Sequence, residues 1–262
     1  MKPRALILHA TGTNRDHEAA RALEGAGAQP EIVPLTTLRA REKNWNGYQM
    51  LVLPGGFAYA DALGAGKLLA LDLNLYFSDA VNEFVARGKP VIGICNGFQA
   101  LVKAGILPNS KSEIRNSKCE ATLTFNASGH FECRWVTLKA ESQKCIWTRN
   151  LNELIDCPVA HGEGNFQLAD DTQLDALRAN DQIALRYVLD NGGRANGAYP
   201  FNPNGSLDDI AGVCNPQGNV LGLMPHPEDH IFVYQHPRHT RGEHGRLGLV
   251  LFQNGAQYAA QM

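Results

Sequence analysis

Pro90-Val-Ile-Gly-Ile-Cys-Asn-Gly-Phe-Gln-Ala-Leu101 passes from an apolar run, through a cysteine flanked by Gly93 and Gly97, directly into a helix-forming stretch. A short apolar strand that becomes a helix without an intervening loop is the local pattern of a parallel sheet buried on both faces. The glycines allow the backbone a strained strand-to-helix turn, and the cysteine at its apex gives the segment the form of a nucleophile elbow.

Upstream, the same rhythm repeats. Ala5–Ala10 reads as a first strand, Asp16–Gly25 as a helix closed by glycine, Glu31–Pro34 as a second strand, and Met50–Leu53 as a third ending in Pro54-Gly55-Gly56. Phe77, Val81, Phe84 and Val85 are spaced for one helix face. Downstream of about residue 119 the strands become shorter and more alternating, as in Ala121–Phe125 and Arg134–Leu138, which suits an antiparallel extension. Val159–His161, Ile183–Val188, Ile210–Val213 and Val220–Met224 follow, and an amphipathic helix closes the chain near Leu247–Tyr258. The expected architecture is α/β, a three-layer sandwich around a mainly parallel open sheet with an antiparallel extension, forming a single domain over 1–262.

Composition narrows the class. A chain of 262 residues with 44% hydrophobic and 19% charged residues, 26 Gly and 13 Pro is neither collagen-like, disordered nor a disulfide-stapled miniature. Lys and Arg (24) nearly balance Asp and Glu (26), so the net charge of -2 calls for neither nucleic acid nor an anionic membrane. Cys95, Cys119, Cys133, Cys145, Cys157 and Cys214 form no C-x-x-C pair and read as reduced thiols of a cytoplasmic protein. No apolar run approaches the roughly 18 to 20 residues of a membrane span, and the start does not read as a signal peptide.

Three segments carry the chemistry. Cys95 faces the N-terminus of the following helix, whose unpaired N–H groups favour a thiolate, and the N–H of Asn96 is placed as one oxyanion donor. Pro54-Gly55-Gly56-Phe57, at the carboxyl end of another parallel strand, reads alone as a plain turn; beside the elbow, the Gly56 N–H becomes the second donor. In Val220-Leu-Gly-Leu-Met-Pro-His-Pro-Glu228, prolines on both sides of His226 favour an extended chain in which His226 and Glu228 share a face, as a base and its orienting carboxylate require.

Competing readings are weaker. His226, Glu228, Asp229, His230, His236, His239 and His244 crowd together, but no H-E-x-x-H is present and the prolines break the helix that would align the ligands, so no metal site is expected. Gly64-Ala65-Gly66-Lys67 resembles part of a phosphate loop, yet Leu68 stands where a hydroxyl is required. His161-Gly162-Glu163-Gly164 is either a turn or a ligand clamp, and Tyr199–Ser206 is a turn-rich loop to which nothing assigns chemistry.

A cysteine elbow, a Gly-Gly loop and a late His-x-Glu together resemble the class I (triad) glutamine amidotransferases, whose sheet is flavodoxin-like. Pro54-Gly-Gly-Phe-Ala-Tyr-Ala-Asp61, Gly93-Ile-Cys-Asn-Gly-Phe-Gln99, Ala160-His-Gly-Glu-Gly164 and Met224-Pro-His-Pro-Glu228 resemble more closely the glutaminase components of phosphoribosylformylglycinamidine synthases. The resemblance implies that Cys95 attacks the side-chain amide of glutamine, that His226 oriented by Glu228 handles the proton, and that Gly55, Gly56 and Asn96 form the oxyanion site. Gln99, His161, Gly162 and Glu163 then help to position glutamine. It implies no cofactor in this chain, with ATP and magnesium on a synthetase partner that receives the ammonia, and it leaves room for a small accessory subunit. Ala60 and Gly64 stand where free-standing glutaminase subunits carry Gly and Arg, while Asn126–Trp135 and Tyr199–Ser206 look like the domain fused to large single-chain synthases. Two other classes compete: a different elbow-cysteine hydrolase or triad amidotransferase, and a non-catalytic binding or metal-storage module.

Overall fold

The computed structural model describes residues 1–108 and 121–262, so Cys119 lies outside the described residues. Its centre is a nine-stranded sheet built from β1 (Arg4–His9), β2 (Gln29–Pro34), β3 (Met50–Leu53), β4 (Val91–Ile94), β6 (Glu132–Ala140), β7 (Ile155–His161), β9 (Ile183–Val188), β10 (Ile210–Cys214) and β11 (Val220–Leu223). The order is β2-β1-β3-β4-β11-β10-β9-β6-β7, and β5 (Ala121–Thr124) pairs with β8 (Asn165–Leu168) as a separate ribbon. The first five strands in that order are parallel and the last four join on antiparallel. Of the expected extension, Arg134–Leu138 is continuous with the main sheet whereas Ala121–Phe125 falls in the separate ribbon, and β11, reached last, fills the slot beside β4.

Burial explains the parallel half. Every side chain of β3, β4 and β11 is buried, which requires cover on both faces and leaves no polar position in these strands. That cover comes from α1 (Asp16–Gly25) packed with α7 (Leu249–Ala259) and, on the other face, α3 (Lys67–Tyr76) packed with α5 (Asn96–Lys103). Shorter helices α2 (Leu35–Arg39), α4 (Ser78–Ala86) and α6 (Asp171–Ala179) complete the connections. In α4 the expected face is the one buried, through Val81, Phe84 and Val85.

The antiparallel half positions the site through its edge. β7 ends the sheet, and its outward-facing backbone is covered rather than left in solvent. The Asp156 N–H donates to Arg246 O (2.8 Å), the Pro158 carbonyl accepts from His226 N–H (2.8 Å), and the Ala160 carbonyl faces the Cys95 thiol (Sγ···O 3.8 Å). Pro158 fits this edge because it has no N–H to donate. The sheet thus curls until its last strand meets the carboxyl ends of β4 and β11.

Candidate active site

Cys95 sits between β4 and α5 with φ 48° and ψ -104°, a left-handed backbone that a non-glycine residue adopts at a cost of about 1–2 kcal/mol. Close packing holds it there. A Cβ on Gly97 would lie 1.9 Å from the Leu53 carbonyl oxygen, and one on Gly93 would lie 2.8 Å from Gly97 O, so both glycines are required by contact. The Cys95 N–H donates to Leu223 O at 2.8 Å, tying the elbow to β11, whose continuation carries His226.

His226 and Glu228 are buried behind Cys95. His226 Nδ1 lies 2.7 Å from Glu228 Oε1, and Cys95, whose thiol faces Ala160 O, neighbours the same ring across Gly55. Burial opposes a charged imidazole here, but the Glu228 carboxylate and the Cys95 sulfur outweigh it, and the His226 pKa is raised well above the usual histidine range. The pairing does not arise from an extended chain as expected: Pro227–Asp229 is a turn of 3-10 helix with proline in its first position. In such a turn the Glu228 side chain folds back onto the preceding ring, so the sequence identified the partners but not the backbone joining them.

Gly55 lies against the histidine rather than at the cavity wall. A Cβ there would come 2.6 Å from His226 Cε1 and 3.5 Å from Cys95 Cβ, so the glycine makes room for the Cys–His pair. Gly56 (φ 123°), Cys95, Gln99, His161, Gly162 and Glu163 do share one cavity, of about 160 Å³, together with Phe57, Asp61, Ala65, Phe125, Phe131 and Ala160. Asn96 is buried beside it; its N–H lies in the first turn of α5, where no intrahelical carbonyl is available. Its side chain accepts from the Ala58 N–H (3.2 Å) and donates to Asp61 Oδ1 (2.8 Å) and Gln99 Oε1 (3.1 Å), while Gln99 Nε2 donates to Glu163 O (2.7 Å).

His161 is a buried neutral ring. Burial, followed by the nearby charge of His226, lowers its pKa from the usual 6.5 to about 3. Asn126 uses its Nδ2 to donate to His161 O (2.7 Å) and His130 O (2.9 Å), so its Oδ1 is the acceptor facing His161 Nδ1 (3.1 Å) and the Gly164 N–H (2.9 Å). The His161 proton therefore sits on Nδ1. The loop is supported further by Ser206, whose Oγ donates to Gly164 O (3.2 Å) and accepts from the Phe166 N–H (3.0 Å). Sequence reasoning missed this scaffold, although it lies in the two segments noted above for their likeness to fused synthases. It also missed Lys103, which faces Glu163 Oε2 at 3.4 Å.

Among the described residues, one group could hold a metal: His226, Glu228 and Asp229, with ligand atoms within 4.8 Å of one another. Its histidine Nδ1 is already engaged by Glu228. Gly66, from the phosphate-loop lookalike, is instead the left-handed N-cap of α3.

A doubly wound sheet carrying a cysteine elbow and a His-x-Glu turn at its carboxyl edge defines the class of glutamine amidotransferases; residues 2–259 match the family described as the CobB/CobQ-like glutamine amidotransferase domain, and the chain belongs to it. Within that class the chain is similar to phosphoribosylformylglycinamidine synthase subunit PurQ of Treponema denticola, at 56% identity over 98% of this chain and 99% of that protein. The protein of the same description from Dehalococcoides mccartyi is 40% identical over 100% of this chain and 99% of its own. Among solved structures, a chain of PurLQS from Thermotoga maritima superposes with a TM-score of 0.73 at 34% identity, covering 98% of this chain and 99% of that one.

Proposed function

We propose that this chain is the glutaminase subunit of a phosphoribosylformylglycinamidine synthase in purine biosynthesis, working as one amidotransferase domain over its whole length. The observation that carries the reading is the 2.7 Å His226–Glu228 pair set behind a cysteine held at a helix N-terminus. The full-length similarity to PurQ subunits supplies the substrate class.

The Cys95 sulfur adds to the carboxamide carbon of glutamine, and the resulting oxyanion is received by the N–H groups of Gly56 and Asn96. His226, held as imidazolium by Glu228, gives its proton to the departing nitrogen; the C–N bond breaks, leaving ammonia and a glutamyl thioester. The neutralised ring then takes a proton from water, the hydroxide attacks the thioester, and glutamate leaves with the thiol restored. Gln99 and the His161–Gly164 loop position the substrate.

Ammonia passes to an ATP-using synthetase partner, which converts formylglycinamide ribonucleotide to the amidine; a small accessory subunit fits the same assembly. Exposed Phe57, Phe125 and Phe131 at the cavity mouth, and an apolar groove of about 800 Å³ beside it lined by Leu63, Leu71, Leu123 and Phe125, support docking at this face. No helix among the described residues is long and apolar enough to cross a membrane, and the five described cysteines are free thiols, which supports a cytoplasmic site of action.

Acid-quenched mixtures of the chain with glutamine, read by intact mass, test the chemistry. One glutamyl group should be trapped on Cys95 and lost in Cys95→Ser. A label that persists in Cys95→Ser, or that maps to another residue, removes the assignment.

A further inference from the structure

The loop that follows α2 and the C-terminal end of α3 line a cavity of about 480 Å³ that glutamine hydrolysis does not use. It is remote from the glutamine cavity: Tyr76 ends α3, the N-cap Gly66 at the other end packs on Gln99, and the ten residues between span roughly 15 Å. The charged groups on its wall are Arg39, Arg41 and Lys43, with no carboxylate.

Lys43 is already matched, its Nζ lying 2.6 Å from Glu31 Oε1. Arg39 and Arg41 are exposed, and among the described residues neither pairs with a carboxylate. The Arg39 guanidinium lies over the Tyr76 ring, 3.8 Å from its centroid, a stacking that fixes the group in place and leaves its N–H edge without an acceptor. Arg41 stands at φ 60°, a left-handed backbone that costs about 1 kcal/mol or more outside glycine. Two planar, unpaired guanidiniums are suited to one doubly charged oxyanion.

The rest of the wall is largely aromatic. Trp45 is half-buried against Phe77, with ring centroids 5.7 Å apart, and Tyr76 is exposed beside it. Asn44 Oδ1 is taken by the Asn46 N–H at 2.9 Å, but among the described residues Asn44 Nδ2 and Trp45 Nε1 donate to nothing. A matching ligand therefore joins a dianion to a flat ring with acceptor atoms, and the volume is that of a small-molecule site. A phosphate monoester carries about -1.5 to -2 at pH 7, and a nucleobase has both the π-face and the ring-nitrogen acceptors. We propose that this cavity binds a nucleoside phosphate, with the phosphate on Arg39 and Arg41 and the base against Trp45. The site stands apart from the glutaminase reading and does not depend on it.

The test is calorimetric titration of the full chain with AMP, adenosine and inorganic phosphate, in the absence of the ATP-using synthetase. AMP should bind one to one, and adenosine and phosphate each at least about 10-fold more weakly, since each lacks one half of the contacts. Arg39→Ala/Arg41→Ala should weaken AMP by about 10-fold or more and leave adenosine unchanged. AMP should also quench part of the tryptophan fluorescence, and Trp45→Phe should abolish that quench while AMP still binds. No AMP binding at millimolar concentration, AMP affinity unchanged in the double variant, or a quench that persists in Trp45→Phe overturns the proposal. Inorganic phosphate binding as tightly as AMP overturns it by making the arginines a bare anion patch. A double variant that binds AMP like wild type but no longer assembles with the synthetase overturns it in favour of a protein contact.

Discussion

Replacing Gly97 with alanine sets two effects of opposite sign against each other. Gly97 is the second residue of α5 and its φ is not left-handed, so by helix propensity alone Gly97→Ala should stabilise the protein by about 1 kcal/mol. The added Cβ, however, would stand 1.9 Å from Leu53 O, 2.6 Å from Leu53 C and 2.8 Å from Leu53 Cβ, against about 3.4 Å for ordinary contact. Two of those atoms are backbone of a buried strand, so α5 must move by roughly 1 Å or more, and overpacking of this kind costs about 1–3 kcal/mol. The net expectation is a loss of up to about 2 kcal/mol in urea unfolding. The same shift carries Cys95 and Asn96 away from Gly56, and a misplacement near 1 Å costs on the order of 100-fold in turnover. Gly27→Ala is the control: its φ is +89° with open space around it, so it should lose about 1–2 kcal/mol and no activity. A Gly97→Ala protein as stable as wild type, with undiminished glutamate release, would refute the packing argument for the elbow.

Glu228→Gln keeps the size of the side chain but removes the charge that orients His226, and kcat should fall about 10³- to 10⁴-fold with glutamine binding retained; a change confined to KM would contradict its role. His226 has a folded pKa above its unfolded value, so the stability it contributes is full below about pH 6.5 and drains away as pH rises through the raised value; urea midpoints of His226→Gln should lack that alkaline decline. His161 has the opposite sign, binding its proton only near pH 3 when folded, so stability is lost as pH falls from about 6.5 toward 3, and His161→Gln should flatten the acid side of the same titration. Leu71→Asp, on the exposed groove beside the site, should weaken the stimulation of glutaminase by the synthetase while leaving the isolated subunit's activity unchanged, as measured by glutamate release with increasing synthetase.

The parallel half of the fold was legible because its signals are local. Met50–Leu53 and Asp16–Gly25 occupy the residues read from sequence, the first as an apolar run before Pro-Gly-Gly, the second as a helix closed by glycine. Lys67–Tyr76 was not legible as a helix: Leu71 and Leu75 point to solvent while Leu69, Ala70 and Leu73 are buried, so its leucines trace no single face. At the site, residue types and spacing singled out Cys95, His226 and Glu228, which the structure brings together, but the extended chain inferred from the two prolines proved to be a 3-10 turn. The support of the His161 loop by Asn126 and Ser206 joins residues about 35 and 42 positions apart, and pairings at that separation leave no mark on local pattern.

Glutamate release from glutamine, measured for wild type and Cys95→Ser with and without the synthetase, ATP and formylglycinamide ribonucleotide, tests the central claim most directly. Turnover should depend on Cys95 and rise when the partner and its substrates are added. A Cys95→Ser chain that hydrolyses glutamine as fast as wild type, or a full mixture in which neither protein does, would contradict it.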